Sequence, residues 1–153
     1  LDLGVKSVND NGVEVMYYAN GITAALSQGQ VSKDTALGVS YAFGDWTVGL
    51  GHQTKTGASG ELTTLVVGGA LGSVTLGAEF AKSATANGFG LEAGFAAGAA
   101  TTITVKAAKV STAANASFGI EAEHDLGGAT LEASIARSSA AVTTTKLGVA
   151  FDF

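Results

Sequence analysis

The sequence predicts an all-β protein, an antiparallel transmembrane β-barrel, and three observations carry that prediction. Apolar side chains recur at every second position through most of the 153 residues. Tight glycine turns alternate with longer polar connections. One face of the strands is apolar from strand to strand with no charge at its centre, while the other mixes small, polar and charged residues. Residues 1–153 read as a single barrel domain or barrel portion, because no proline, charge run or long Ser/Gly tract marks a linker.

The strands follow in order. The opening "LDLGVKSV" reads as a first strand, and "GVEVMYY" sets Val13, Val15 and Tyr17 on one face. "LGVSYAF" does the same with Leu37, Val39, Tyr41 and Phe43, and "WTVGLG" with Trp46, Val48 and Leu50. The pattern returns at Val74, Leu76 and Phe80, at Phe89, Leu91 and Phe95, at Ile103 and Val105, at Phe118 and Ile120, and at Leu131 and Ile135. Tight turns fall at Gly21, Gly44, Gly72, Gly98 and Gly127–Gly128. Alternating with them are the longer polar connections "VNDNG", "SQGQVSKD", "QTKTGASGE", "KSATANG", "VSTAANAS" and "SSAAVTTT", so that short and long connections alternate strictly. Each repeat is then a hairpin of two strands of about ten residues, the length a tilted strand needs to cross a bilayer. With the opening strand the count is about 12.

A soluble β-sandwich alternates too. The chemistry of the second face favours a barrel, in which that face lines a lumen and mixes Gly, Ala, Thr and Ser with charges. Closure also accounts for the last stretch, "TKLGVAFDF", which alternates up to Phe153 and needs neighbours for its backbone and an apolar medium for its rings.

Composition removes several classes. Only 14% of residues are charged, and 13 acidic against 8 basic residues leave a net charge of −5, a poor match to nucleic acid, which is bound by clustered Lys and Arg. No apolar run approaches the ~18 residues of a membrane-spanning helix. There is no cysteine, hence neither a disulfide framework nor a thiolate metal site. The sequence opens at Leu1 without a leader, so a targeting segment has been removed or the chain belongs to something longer.

By the period of two, Glu14, Glu79, Glu92, Glu121, Glu123, Asp125 and Glu132 share the polar, pore-lining face with Lys106 and Lys146. "EAEHDLGG" places Glu121, Glu123 and Asp125 on one side of one strand. That stripe admits a carboxylate pair for acid/base chemistry or a Ca²⁺ site. The reading as an acidic stripe of a wet lumen is preferred, because no His, Ser or Cys nucleophile is in phase with it and catalysis needs a dry pocket. No catalytic residue, metal site or cofactor is expected, and the chain does not read as an enzyme. Tyr17, Tyr41, Phe43, Trp46 and Phe95 lie near tight turns, as in the aromatic girdle of a barrel. His52 and His124 are in phase with the apolar face near strand ends and read as interfacial residues.

"KLGVAFDF" resembles the terminal signature of bacterial outer-membrane barrel proteins: a polar Lys146, Gly148 two places on, and aromatics at Phe151 and Phe153. The resemblance implies that this strand is read by the barrel-assembly machinery. "VSYAFGDWTVGLGHQTKTG" is similar to the strand, turn and strand of the general diffusion porins of alphaproteobacteria, the Rhodobacter type, and "DNGVEVMYYANGITAALSQGQ" fits the hairpin before it. What that resemblance implies is a bacterial outer-membrane location, the bilayer and lipopolysaccharide as surroundings, a homotrimer of 16-stranded barrels, and passive diffusion of small hydrophilic solutes and ions. Nothing in the sequence matches the inward-folded third loop of that family. The chain is then the C-terminal portion of such a porin, the preferred reading, or a trimmed barrel of about 12 strands. A structural or adhesive barrel protein without a conducting pore is the alternative function.

Overall fold

The structure is a computed structural model that describes residues 12–31, 33–54 and 60–151. These form eleven strands and no helix. They are β1 (Val13–Ala19), β2 (Ile22–Gln28), β3 (Thr35–Phe43), β4 (Trp46–Thr54), β5 (Leu62–Leu71) and β6 (Val74–Ser83). After them come β7 (Asn87–Ala96), β8 (Thr101–Val110), β9 (Ser117–Asp125), β10 (Ala129–Arg137) and β11 (Thr143–Phe151). All belong to one sheet in chain order, each strand antiparallel to the next.

Register in this meander is set by its turns. At the first, Asn20 and Gly21 both have positive φ, 50° and 78°. That is the type I′ geometry whose twist suits a two-residue hairpin, and it places Ala19 opposite Ile22. The Ala42 N–H donates to the Gly21 carbonyl at 2.8 Å and ties this turn to β3. Gly44–Asp45 and Gly72–Ser73 make equally short links.

Directly opposed residues share a face, so the register carries one set of side chains across the whole sheet. The outer face runs through Tyr17, Leu26, Val39, Leu50, Leu65, Leu76, Leu91, Val105, Ile120, Leu131 and Val149. Nearly all of these are exposed; Leu50, at the middle of β4, is 54% so. Among the described residues, the buried apolar side chains are Ala36 and Val66, both on the opposite, inner face. The arrangement is that of a globular protein turned inside out. A strand of ten residues spans roughly 33 Å along its own axis. At the usual barrel tilt that suits an apolar band ~25 Å tall.

The inner face is concave. It curves round a hollow of about 820 Å³ bordered by residues from Val66 of β5 to Thr144 of β11.

Three expectations need correction or restriction. The predicted opening strand "LDLGVKSV" lies outside the described residues, which hold eleven strands rather than 12. The sheet is open, with β1 and β11 as its edges and no pairing between them among the described residues. The alternation of short and long connections also fails once. "KSATANG" contributes a loop of only Ala84, Thr85 and Ala86, because Ser83 closes it. The Ser83 N–H donates to the Ala86 carbonyl (2.7 Å) and the Ala86 N–H donates to Ser83 Oγ (3.1 Å).

Candidate pore wall

All nine charged residues expected on the polar face fall on the inner, concave side of the sheet. The register links them in sequence. Glu79 stands opposite Gly90, Glu92 opposite Gly77 and Lys106, Lys106 opposite Gly119, Glu123 opposite Glu132, and Glu132 opposite Gly148. Glu14 lies on the same face, opposite Ser27. Four of these charged side chains thus face a glycine on a neighbouring strand, where no Cβ competes for the space they cross. At Gly90 a Cβ would come within 2.9 Å of Glu79 Oε1, so the glycine makes room for that carboxylate.

Each basic residue sits beside at least one acid. Lys106 Nζ lies 3.4 Å from Glu92 Oε2 and 3.8 Å from Glu121 Oε2. Lys146 Nζ donates to Glu132 Oε2 at 3.2 Å. These pairs are solvent-exposed and contribute little to stability, about 0–1 kcal/mol each. Their importance is electrostatic, because they partly offset the acids and leave a net excess of negative charge. Glu14, Glu79 and Glu123 have no ion pair among the described residues. Asp125 has a second role that the sequence did not reveal: its Oδ1 accepts the Gly127 N–H at 2.7 Å and closes the β9–β10 turn.

The inner wall is divided along its circumference. Across β2 to β5 it is built from Ser27, Ala36, Gly38, Gly49, Gly51, Val66 and Gly68, all buried and none charged. The charges, apart from Glu14, belong to β6–β11. Ser27 is only 1% exposed and its hydroxyl has no hydrogen-bond partner in the structure.

On the outer face, Tyr17, Tyr41, Phe43, Trp46 and Phe95 all lie toward the short-turn end. Phe43 is opposite Trp46, and Tyr41 and Phe43 stack with ring centroids 5.7 Å apart. A second aromatic line at the other end, Phe80, Phe89 and Phe118, was not singled out from the sequence. Phe80 and Phe89 are directly opposed. Their common height could have been read from their counts back to the long connections. The two histidines occupy opposite rims. His52 Nδ1 lies 2.9 Å from Thr63 Oγ1, and His124 Nδ1 lies 2.8 Å from Thr101 Oγ1, in each case the opposed residue. No group of three or more His, Asp or Glu suited to a metal ion occurs among the described residues.

Of the terminal signature, Lys146 and Gly148 fall on the inner face of β11 and Phe151 on its outer face. Phe153 lies outside the described residues.

A single antiparallel meander with an exposed apolar exterior and a charged, concave interior is a porin-type fold. Solved structures show the same likeness. A triple mutant of the Rhodopseudomonas blastica porin matches 93% of this chain with a TM-score of 0.76 at 19% identity, and a second mutant of the same porin matches with a TM-score of 0.77. The NanC porin in a rhombohedral crystal form matches 93% of this chain with a TM-score of 0.54 at 13% identity. The chain spans 55% of the length of the R. blastica porin and 92% of that of NanC. No protein-family profile matches the sequence, and no curated protein does.

Proposed function

We propose that this chain forms wall of an outer-membrane porin, a water-filled channel through which small hydrophilic solutes and ions diffuse passively. The observation that carries this reading is the inverted distribution of side chains: an exposed apolar exterior suited to lipid and a charged interior suited to water. Small residues across β2–β5 keep the bore open, and eleven strands already exceed the number at which side chains fill a barrel. In this reading the chain is the C-terminal portion of a larger barrel, as its open sheet and its 55% share of the R. blastica porin suggest. The pore is lined by the nine inner charges, with the acids favouring cations. The protein performs no catalysis and holds no cofactor. Its surroundings are the outer-membrane bilayer with its lipopolysaccharide, its likeness to the Rhodobacter-type porins supports a homotrimer, and Lys146, Gly148, Phe151 and Phe153 present it to the barrel-assembly machinery.

The test is conductance. Mature protein purified from membranes and added to a planar bilayer gives discrete steps whose size grows with salt concentration. A folded, membrane-inserted protein that yields no steps at any salt concentration overturns the channel and leaves the structural or adhesive barrel in its place.

A further inference from the structure

Within the hollow of about 820 Å³, one carboxylate stands apart from the other charges. Glu79 has no ion pair among the described residues, and its side chain reaches over Gly90, whose missing Cβ leaves the space that Glu79 Oε1 approaches. On its other side the register sets Val66, which is 5% exposed. An anionic group is thus held between a glycine and a valine.

Lys106 borders the same hollow, yet its charge is drawn toward the short-turn side. Glu92 is level with it, and Glu121 is opposite Thr104, two residues nearer the short turn; Lys106 Nζ lies 3.4 Å from the first carboxylate and 3.8 Å from the second. Toward the long connections the wall changes character. Ala108 is opposite Gly90, Ser117 opposite Ala108, and Gly119 opposite Ala136, all of them bordering the hollow and none charged. The Ser117 hydroxyl donates to the Ala108 carbonyl at 3.3 Å, so even this polar group is turned to the wall. From Gly90 on β7 to Ser117 on β9 is two strands, roughly 10 Å at the usual strand spacing.

Resting on the reading of the inner face as a water-filled wall, we infer that this hollow is a binding subsite for small organic ammonium ions that carry an apolar arm. The ammonium group meets Glu79 over Gly90, and the arm lies along Ala108, Ser117, Gly119 and Ala136. Concave sites with a largely uncharged lining and a few placed polar groups orient their ligands by this division. A bare inorganic cation uses only the carboxylate, and a neutral apolar solute uses only the wall. An anion meets Glu79 together with the net negative charge of Glu92, Lys106 and Glu121. The subsite therefore adds to a general preference for cations a ranking among them by apolar content.

The experiment uses the mature protein folded in deuterated detergent, with saturation-transfer NMR titrations read against protein-free micelles. Three probes are compared: 2-phenylethylammonium, ethylammonium and the neutral 2-phenylethanol. The expected dissociation constant is at least about tenfold lower for 2-phenylethylammonium than for ethylammonium, from the apolar area of the ring. Glu79→Gln should raise it about threefold or more, the effect of losing an exposed ion pair, and bring it toward that of 2-phenylethanol. Ala108→Asn sets an amide in the path of the arm and should weaken 2-phenylethylammonium while leaving ethylammonium unaltered. Glu123→Gln removes the same charge opposite Glu132, away from the hollow, and should matter less than Glu79→Gln. Equal affinity for the two ammonium ions, or for the charged and neutral phenyl probes, overturns the proposal. So does an unchanged affinity in Glu79→Gln, or an equal loss in Glu123→Gln. Heat-dependent gel mobility verifies that each variant is folded, and the comparison among probes needs the native protein alone. Single-channel steps are recorded in parallel. A protein that conducts but does not discriminate the probes refutes this inference alone, whereas one that discriminates them but never conducts refutes the channel and keeps the subsite.

Discussion

Trp46 lies across Gly69, the residue that the β4–β5 register sets directly opposite it. A Cβ at position 69 would stand 2.7 Å from Trp46 Cε3 and 2.8 Å from the Asp45 carbonyl oxygen, closer than side chains tolerate. The glycine lets the largest girdle residue lie flat against the wall. Gly69→Ala is expected to destabilise the folded protein by about 1–3 kcal/mol, the usual cost of overpacking. Because Trp46 is the only tryptophan, its fluorescence reports the same displacement without interference. An unchanged spectrum and urea midpoint would refute the contact.

The two faces predict opposite tolerance to charge. Leu50→Arg puts a cation at the middle of the outer wall and is expected to cost about 2–4 kcal/mol in lipid. Thr104→Arg, on the inner face opposite Glu121 and Gly94, is expected to cost less than about 1 kcal/mol. Denaturant titration of the two variants in the same vesicles checks the difference, and equal losses would contradict the assignment of the faces.

Selectivity follows from the inner charges. In the proposed channel, seven acids against two lysines would favour cations, with the low-dielectric wall focusing their field. Replacing Glu121, Glu123 and Asp125 by Gln, Gln and Asn should move the reversal potential in a salt gradient toward zero. Lys106→Gln should move it the other way, because it releases Glu92 and Glu121 from their shared cation. Glu61→Gln, outside the wall, should do little. Both shifts should fade near 1 M salt, where the screening length is about 3 Å.

Insertion should depend on the exterior of β11. Phe151→Asp places a charge on the outer face of the terminal strand and is expected to reduce the amount of protein in the outer membrane several-fold, while Asp152→Asn leaves it near normal. Quantitative blotting of membrane fractions decides this, and equal amounts of both variants would count against a role for that face in assembly.

Much of the architecture was legible because successive side chains of a strand alternate between two faces that differ in chemistry along most of this sheet. The nine inner charges could be assigned from parity alone, since strands without bulges keep their phase. Register was less accessible. That Glu79, Glu92, Lys106 and Glu132 each face a glycine depends on which residues oppose one another, and this is settled by turn length rather than by strand pattern. β5 illustrates a further limit: Leu62 and Val66 point inward while Leu65 and Val67 point outward, so its hydrophobicity does not alternate. The three-residue loop at Ala84–Ala86 escaped notice because one hydroxyl, that of Ser83, does work that a longer segment would otherwise perform.

With Ala36 and Val66 as its buried apolar side chains, the described sheet encodes almost no interior of its own. On the proposed reading as a membrane barrel, what a core supplies elsewhere comes from the surrounding acyl chains, and the free energy of folding is a joint property of this sequence and of the lipid that receives it. A thinner or thicker bilayer then acts as a mutation would in a water-soluble protein, uncovering or overreaching the two aromatic lines and shifting stability with no residue changed. The membrane is in this sense part of the protein's composition, and its lipid content is a variable through which a cell can adjust how firmly the wall stands.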